Sequence, residues 1–361
     1  MTRRSPSAAS PGTGYLTAVA AAAVLSTTAI LVRHLTTVYH MPALVLAFWR
    51  DALVVVVLFP FVMRKLRVGR THLAHLAAFG AVLAVFNAIW TLSVALNGAA
   101  VATVLVYSSA AFTALLGWAL MGEDLRGWKI VAVLAALAGC SLVAGVTAHA
   151  AGRLTAAGIV TGVTSGLAYA AYSLMGRSSS RRGIDPWTTL LYTFGIAAVV
   201  LLAANLVPSA GSLPGGAARP ADLLWLGHST RGWAALLLLA GGPTVVGFGL
   251  YNVSLTRLPA GTANLLLTLE PVFTAAAAFA LLGERLTPSQ LAGSALILAG
   301  LVALRLSEGT AGPGAKLRGP VDLATVADTH HKHRQRLAVE RVDDAVAPHA
   351  QPPQPLPRRR Q

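Results

Sequence analysis

The sequence predicts an all-α membrane protein whose ten transmembrane helices form two inverted five-helix repeats around a central cavity. Three observations carry that prediction. The 361-residue chain is 55% hydrophobic and only 11% charged, where an ordinary globular chain carries about 25% charged residues. Windows such as 73–121 and 232–256 contain no Asp, Glu, Lys or Arg, and one bilayer crossing needs only ~20 apolar residues. The second half also repeats the first at a fixed offset, as detailed below. A soluble domain could not bury so much unbroken apolar chain behind a polar face. A β-barrel would require polar and apolar residues to alternate, and here they do not.

Apolar runs read against charged, Gly and Pro punctuation place the spans. The first, 15–33, follows Arg3 and Arg4 and imitates a secretory signal. It is long for a signal core and further spans follow, so it is expected to be retained. The second, 42–63, opens on Pro42 and stops at Arg64 and Lys65. The third and fourth, 72–95 and 99–121, meet at Asn97 and Gly98. The fifth, 128–148, contains Cys140, the one cysteine. An intrachain disulfide is therefore impossible, and a small packing residue is the expected role. In the second half the spans are 155–176, 187–207, 232–254, 260–282 and 289–306. The segments 1–14 and 307–361 are polar, without periodicity, and are expected to be disordered tails.

Ten spans put both termini on one side. With that side inside, the short inner loops hold Arg64, Lys65, Arg67, Arg70, Arg126, Lys129, Arg177, Arg181, Arg182 and Arg257. The outer loops hold only Arg33, Arg153, Arg219, Arg231 and Arg285. The positive-inside rule then makes both termini cytoplasmic in a multi-pass protein of the cell membrane. The net charge of +15 lies largely in these loops and tails, where it suits anionic lipid headgroups rather than nucleic acid.

A shift of 161 residues lays Phe112, Thr113 and Ala114 on Phe273, Thr274 and Ala275, and Gly122-Glu123 on Gly283-Glu284. Eight of the fourteen positions from 112 to 125 are identical without a gap. Trp90 and Ser93 overlay Tyr251 and Ser254, and Gly139 overlays Gly300. A weaker register of 144 aligns Pro42 with Pro186 and Arg33 with Arg177. The repeats are thus 15–148 and 155–306. Five spans is an odd number, so the second copy enters the membrane inverted, an arrangement recurring in secondary transporters. Duplication that merely enlarged a bundle is the structural alternative.

The stretch LEPVFTAAAAFALLGERLTPSQLAGSALILAGLVAL and its weaker copy YSSAAFTALLGWALMGEDLRGWKIVAVLAALAGCSLVA resemble the EamA domain of the drug/metabolite transporter superfamily. The resemblance covers about residues 15–306. It implies two inverted five-helix repeats around a central cavity and movement of small metabolites, often export of amino acids or related compounds. The first copy departs from the pattern, with Ser109-Ala110 for Glu270-Pro271 and Asp124 for Arg285.

Glu270 and Pro271 fall inside an apolar run. A carboxylate in mid-bilayer costs about 2.5–3.5 kcal/mol on insertion scales, and the proline frees a carbonyl that needs another partner. The pair therefore marks a bent, hydrated segment. Glu270 is read either as a titrating group for a proton or substrate ammonium, or as an acceptor that fixes the kink. Arg50, beside Trp49 and Asp51, lies about eight residues past Pro42, roughly 12 Å along a helix, and so inside the hydrocarbon. Together Arg50 and Glu270 could hold the two ends of an amino acid. Asn87, Trp90, Tyr107, Tyr169, Tyr251, Asn264 and Thr268 are further lining candidates, each with helix–helix hydrogen bonding or an interfacial aromatic as its plainer role. Gly241, Gly242, Pro243, Gly247 and Gly249 form a candidate hinge or a close-packing stripe. Glu123 and Glu284 are expected to cap the helix that follows each, or to pair with Arg126 and Arg285.

Neither HExxH nor a Gly-x-Ser-x-Gly elbow occurs, which argues against an intramembrane enzyme. His330, His331 and His333 lack supporting carboxylates or cysteines, so no metal is assigned, and no cofactor or phosphate loop is read. A non-transporting scaffold or sensor using the C-terminal tail is the remaining alternative. The expected partners are a small-molecule substrate, the lipid bilayer and, as a coupling ion, the proton. Substrate, direction and oligomeric state stay open.

Overall fold

The computed structural model describes residues 11–65, 69–97, 99–125, 127–143, 156–207, 215–274, 276 and 287–310. Among them all regular structure is helical. The first half contains α1 Pro11–Leu25, α2 Thr28–Val38, α3 Ala43–Val62, α4 Arg70–Asn97, α5 Ala99–Val106, α6 Ser109–Met121 and α7 Gly127–Val143. The second contains α8 Ala156–Arg181, α9 Pro186–Leu206, α10 Thr230–Leu239, α11 Gly249–Leu255, α12 Ala260–Leu267 and α13 Pro288–Thr310. A π-helical segment, Ala240–Phe248, joins α10 to α11. Among the described residues, six stretches are long and apolar enough to cross a membrane: Gly12–Val38, Ala43–Val62, Thr71–Val94, Ala102–Met121, Pro186–Leu206 and Thr230–Leu255.

Helix starts earlier and ends later than the tails suggested, at Pro11 and Thr310. The first span is also not continuous. It breaks at Ser26–Thr27, where both hydroxyls turn back onto the preceding turn, Ser26 Oγ to Ala23 O at 2.6 Å and Thr27 Oγ1 to Val24 O at 2.8 Å. Such back-bonding competes with the helical ladder. The sixth expected span, α8, is less apolar because it carries Gly158, Gly162, Ser165, Gly166, Ser173 and Gly176 on its buried side. Helices α4, α5 and α6 pack on it. Small residues let backbones approach closely where lipid offers no hydrophobic drive. A Cβ on Gly162 would sit 2.4 Å from Leu105, and one on Gly166 would sit 2.3 Å from Ser108 Oγ.

Two further breaks follow the 161-residue register. Between α5 and α6 the helix opens at Tyr107–Ser108, and after α12 it opens at Thr268–Leu269 before helix resumes over 270–274. Pro271 lacks the N–H that Leu267 O would take, but the first copy breaks at the same register with Ala110 there. A hydroxyl serves both copies: Ser108 Oγ donates to Leu105 O at 2.7 Å and Thr268 Oγ1 to Leu265 O at 2.6 Å. Cys140, fully buried, aims its thiol at Thr268 O at 3.8 Å.

One end of the bundle is basic. Arg177 donates to Leu255 O at 2.7 Å and Arg181 to Met121 O at 3.3 Å, so α8 caps the last carbonyls of α11 and α6. At the opposite end the segment after Gly215 lies over the start of α3. Leu44 N donates to Gly215 O at 2.8 Å, and Asn205 links Leu44 O to Ala217 N at 3.3 and 3.1 Å. Helices α7 and α13 pack along each other. There, a Cβ on Gly139 would fall 2.7 Å from Gly293 O, and one on Gly300 would fall 3.3 Å from Ala132 O. Gly300 is Gly139 plus 161, and Gly293 is Ala132 plus 161, so the two contacts are reciprocal.

Candidate functional site

A cavity of about 70 Å³ opens where both halves converge. At about 10–15 Å³ per water, it has room for several waters or a small polar group. Its polar members are Thr28, Arg50, Thr103, Tyr107 and Glu270, from α2, α3, α5, the first-copy break and the second-copy break. Phe86, Trp90, Tyr169, Phe248, Leu25, Val106 and Leu267 complete the wall. Each is placed by local structure already described. The breaks carry Tyr107 and Glu270 inward, and the break after α1 does the same for Thr28. The π segment ends on Phe248.

Arg50 is only 3% exposed and Asp51 is fully buried. Arg50 Nε donates to Asp51 Oδ1 at 3.2 Å, and Asn87 Nδ2 donates to Asp51 Oδ2 at 2.7 Å. Both carboxylate oxygens of Asp51 are thereby occupied, and the guanidinium is held by one edge. Its Nη2 is buried with no hydrogen-bond partner among the described residues, and the same holds for Thr28 Oγ1 and Tyr107 Oη. The Tyr107 hydroxyl faces the Glu270 carboxyl group without the geometry of a full hydrogen bond. An unpaired buried polar group costs about 1–3 kcal/mol. Three of them around one cavity, beside a cation and a carboxylate, make a site shaped to complete its bonds on something that enters.

Of the sequence candidates, Arg50, Trp90, Tyr107, Tyr169 and Glu270 line this cavity. Pro271 follows Glu270 in the resumed helix and shapes the wall without lining it. Trp49 points the other way, donating to Leu223 O at 2.6 Å and meeting the Trp233 ring edge-on at 4.8 Å, because neighbours on a helix diverge. Asn87 stands one layer behind, on Asp51. Asn264 and Tyr251 belong to a buried network: Ser109 Oγ donates to Asn264 Oδ1 at 3.0 Å, and Ser173 Oγ accepts from Asn264 at 2.9 Å and Tyr251 at 2.7 Å. Thr268 spends its hydroxyl on its own break. Leu25, Thr28, Phe86, Thr103, Val106, Phe248 and Leu267 were not anticipated. The Phe86–Trp90 spacing of one helical turn was the available signal, and apolar residues in an apolar span offer no other.

The five hinge candidates fall in or next to the π-helical segment. Pro243 cannot donate to Leu239 O, so Thr244 Oγ1 does, at 2.7 Å, and the helix widens to its π form. Gly247 and Gly249 are close-packing positions, where a Cβ would meet Leu25 at 2.7 Å and Trp187 at 2.3 Å. Gly241 and Gly242 have room, with nothing nearer than 3.8 Å.

Toward the basic end the cavity is closed by stacked rings. Tyr169 lies on Phe86 at 4.9 Å and on Tyr172 at 5.9 Å, and Tyr172 meets Phe79 at 4.9 Å and the edge of Phe248 at 5.6 Å. Beyond this plug sits Glu123. Its described contacts reach beyond its own turn. Its Oε1 accepts from Ala260 N at 2.7 Å and its Oε2 from Gly261 N at 3.2 Å, at the start of α12 in the other repeat, with Lys129 Nζ 3.7 Å away. The side chains of Arg126, Glu284 and Arg285 lie outside the described residues. Among the described residues no cluster of three metal-ligating side chains occurs.

The EamA-like transporter family matches residues 12–145 and 156–306, one domain for each half. A protein of Archaeoglobus fulgidus named as an uncharacterized transporter is 30% identical over 248 residues, 67% of this chain and 79% of its own. Uncharacterized transporter YwfM of Bacillus subtilis is 27% identical over 223 residues, 62% of this chain and 70% of its own. A shorter match, 42% over 62 residues, is to the "Probable terminal-alkyne amino-acid exporter" of Streptantibioticus cattleyicolor, 17% of this chain and 21% of that one. A crystal structure superposes with a TM-score of 0.66 at 18% identity over 82% of this chain and 98% of that chain, which speaks for the fold alone. The chain therefore belongs to the EamA-like transporter family, and it is a transporter rather than an enzyme.

Proposed function

We propose that this transporter is a secondary exporter of a small amino acid or related zwitterion, working by alternating access between two inverted five-helix repeats. The observation that carries it is the cavity in which Arg50 of the first half and Glu270 of the second face the same space. Arg50 Nη2 takes the substrate carboxylate, a charge-assisted contact suited to the guanidinium fork. Glu270 takes the ammonium, or a proton when no ammonium is present, which makes the proton the coupling ion. The reciprocal contacts of Gly139 and Gly300 support a pseudo-dyad in the membrane plane. The basic end faces the cytoplasm of the cell membrane by the positive-inside rule. The partial match to an amino-acid exporter favours the same substrate class.

Purified protein in vesicles, screened with labelled amino acids and apolar metabolites, tests it. Compared per amount of folded protein, Glu270→Gln and Arg50→Ala are each expected to lower transport of a zwitterion about tenfold or more, from the loss of one charged contact, and to spare an apolar solute. Equal losses on both solute classes would sink the pairing. No movement of any solute would favour the scaffold alternative.

A further inference from the structure

We infer that Glu123 is a latch that holds the basic end of the molecule closed, joining the first repeat to the start of α12 in the second. This rests on the alternating-access reading. The helix α12 begins at Pro259, which supplies no side-chain cap. Its first N–H groups nevertheless need acceptors, and a helix start favours negative charge. Glu123, 137 residues away from Ala260, supplies both oxygens, at 2.7 and 3.2 Å. Glu123 and Lys129 are each 5% exposed, so the ion pair is sealed from water and weakly screened.

The surroundings are built for this contact. Gly122, at φ 66, closes α6 in the left-handed conformation that favours glycine and turns the chain so that Glu123 points back under the bundle. A Cβ on Gly117 would stand 2.8 Å from Glu123 Oε2, and one on Gly261 would stand 2.8 Å from Lys129 Nζ. Two glycines thus make the space that the carboxylate and ammonium fill. A contact inside one repeat would survive any rearrangement of the halves. This one joins two repeats at the closed end of the cavity, so opening that end must break it. The 161-residue register puts Glu284 where Glu123 stands, but it gives Gln290 for Lys129, Ala100 for Gly261 and Ala278 for Gly117. In sequence, then, the second copy repeats the carboxylate without a counterpart of Lys129 or of the two glycines.

Spin labels at Gly127→Cys, where a side chain meets open space, and Arg257→Cys, in a Cys140→Ala background, read the separation across the latch in lipid nanodiscs. The parent should give one short distance. Glu123→Ala should move the open-to-closed ratio about tenfold or more for each charged hydrogen bond removed, and Lys129→Gln should move it part of the way. Should Glu123→Ala fail to fold, Glu123→Gln, which keeps the volume and one oxygen, decides. Parent distances in every folded variant would overturn the latch. No substrate is needed, so a lengthened distance with no solute transported would reject the exporter reading and leave the latch standing.

Discussion

Arg50 and Asp51 are consecutive on α3, so their side chains leave the helix about 100° apart, and the guanidinium bends back to bring Nε within 3.2 Å of the carboxylate. Nη2 is left buried without a partner among the described residues, and Asp51 is hidden completely. Breaking such a pair from one side leaves a buried charge alone, a loss of about 3–5 kcal/mol. Asp51→Ala should therefore lower thermal stability in detergent by that amount. Arg50→Met combined with Asp51→Leu should recover most of it without restoring transport. A single variant as stable as the parent would show the pair to be solvated after all. The sequence advertised Arg50 and Glu270 because charges in apolar runs are conspicuous. It could not show that Asn87 serves Asp51, since the 2.7 Å contact joins two helices.

Breaks in the helices place these groups, and their causes are local. Back-bonding hydroxyls stand at Ser26, Thr27, Ser108 and Thr268, so the Glu-Pro pair that draws the eye in the second half is not required for the break. The break between α5 and α6 rests on Gly166, whose added Cβ would lie 2.3 Å from Ser108 Oγ and 3.2 Å from Val106 O. Ser108 is already bonded to Leu105 O and cannot swing away freely. Gly166→Ala should destabilise by about 1–3 kcal/mol, the usual range for overpacking, with Ser108→Ala relieving most of it in the double variant. Thermal unfolding of the four proteins forms a cycle, and additivity would contradict the contact. The breaks themselves were only half legible. Pro271 and Pro243 signal irregular helix, whereas Ser26 and Ser108 look like any other small residue of a membrane span.

Across the whole molecule, the two repeats touch through the reciprocal glycines of α7 and α13. The reciprocity is not equal in closeness: a Cβ on Gly139 would come within 2.6 Å of Ile297 and 2.7 Å of Gly293 O, and one on Gly300 would come no nearer than 3.1 Å, to Ala135. Gly139→Ala must push backbone, so it should lower the unfolding temperature clearly more than Gly300→Ala does. The reverse order, read by the same melting assay, would refute the packing. Membrane class and the twofold repeat were readable in advance because a bilayer imposes length and apolarity on each segment separately, and duplication leaves identities at a constant offset. The route of Glu123 to Ala260, the retreat of Trp49 and Asn87 from the cavity, and the apolar wall of Phe86 and Phe248 were not. Each depends on which face one helix turns to another, and a span that is apolar on all sides carries no record of that choice until its neighbours pack against it.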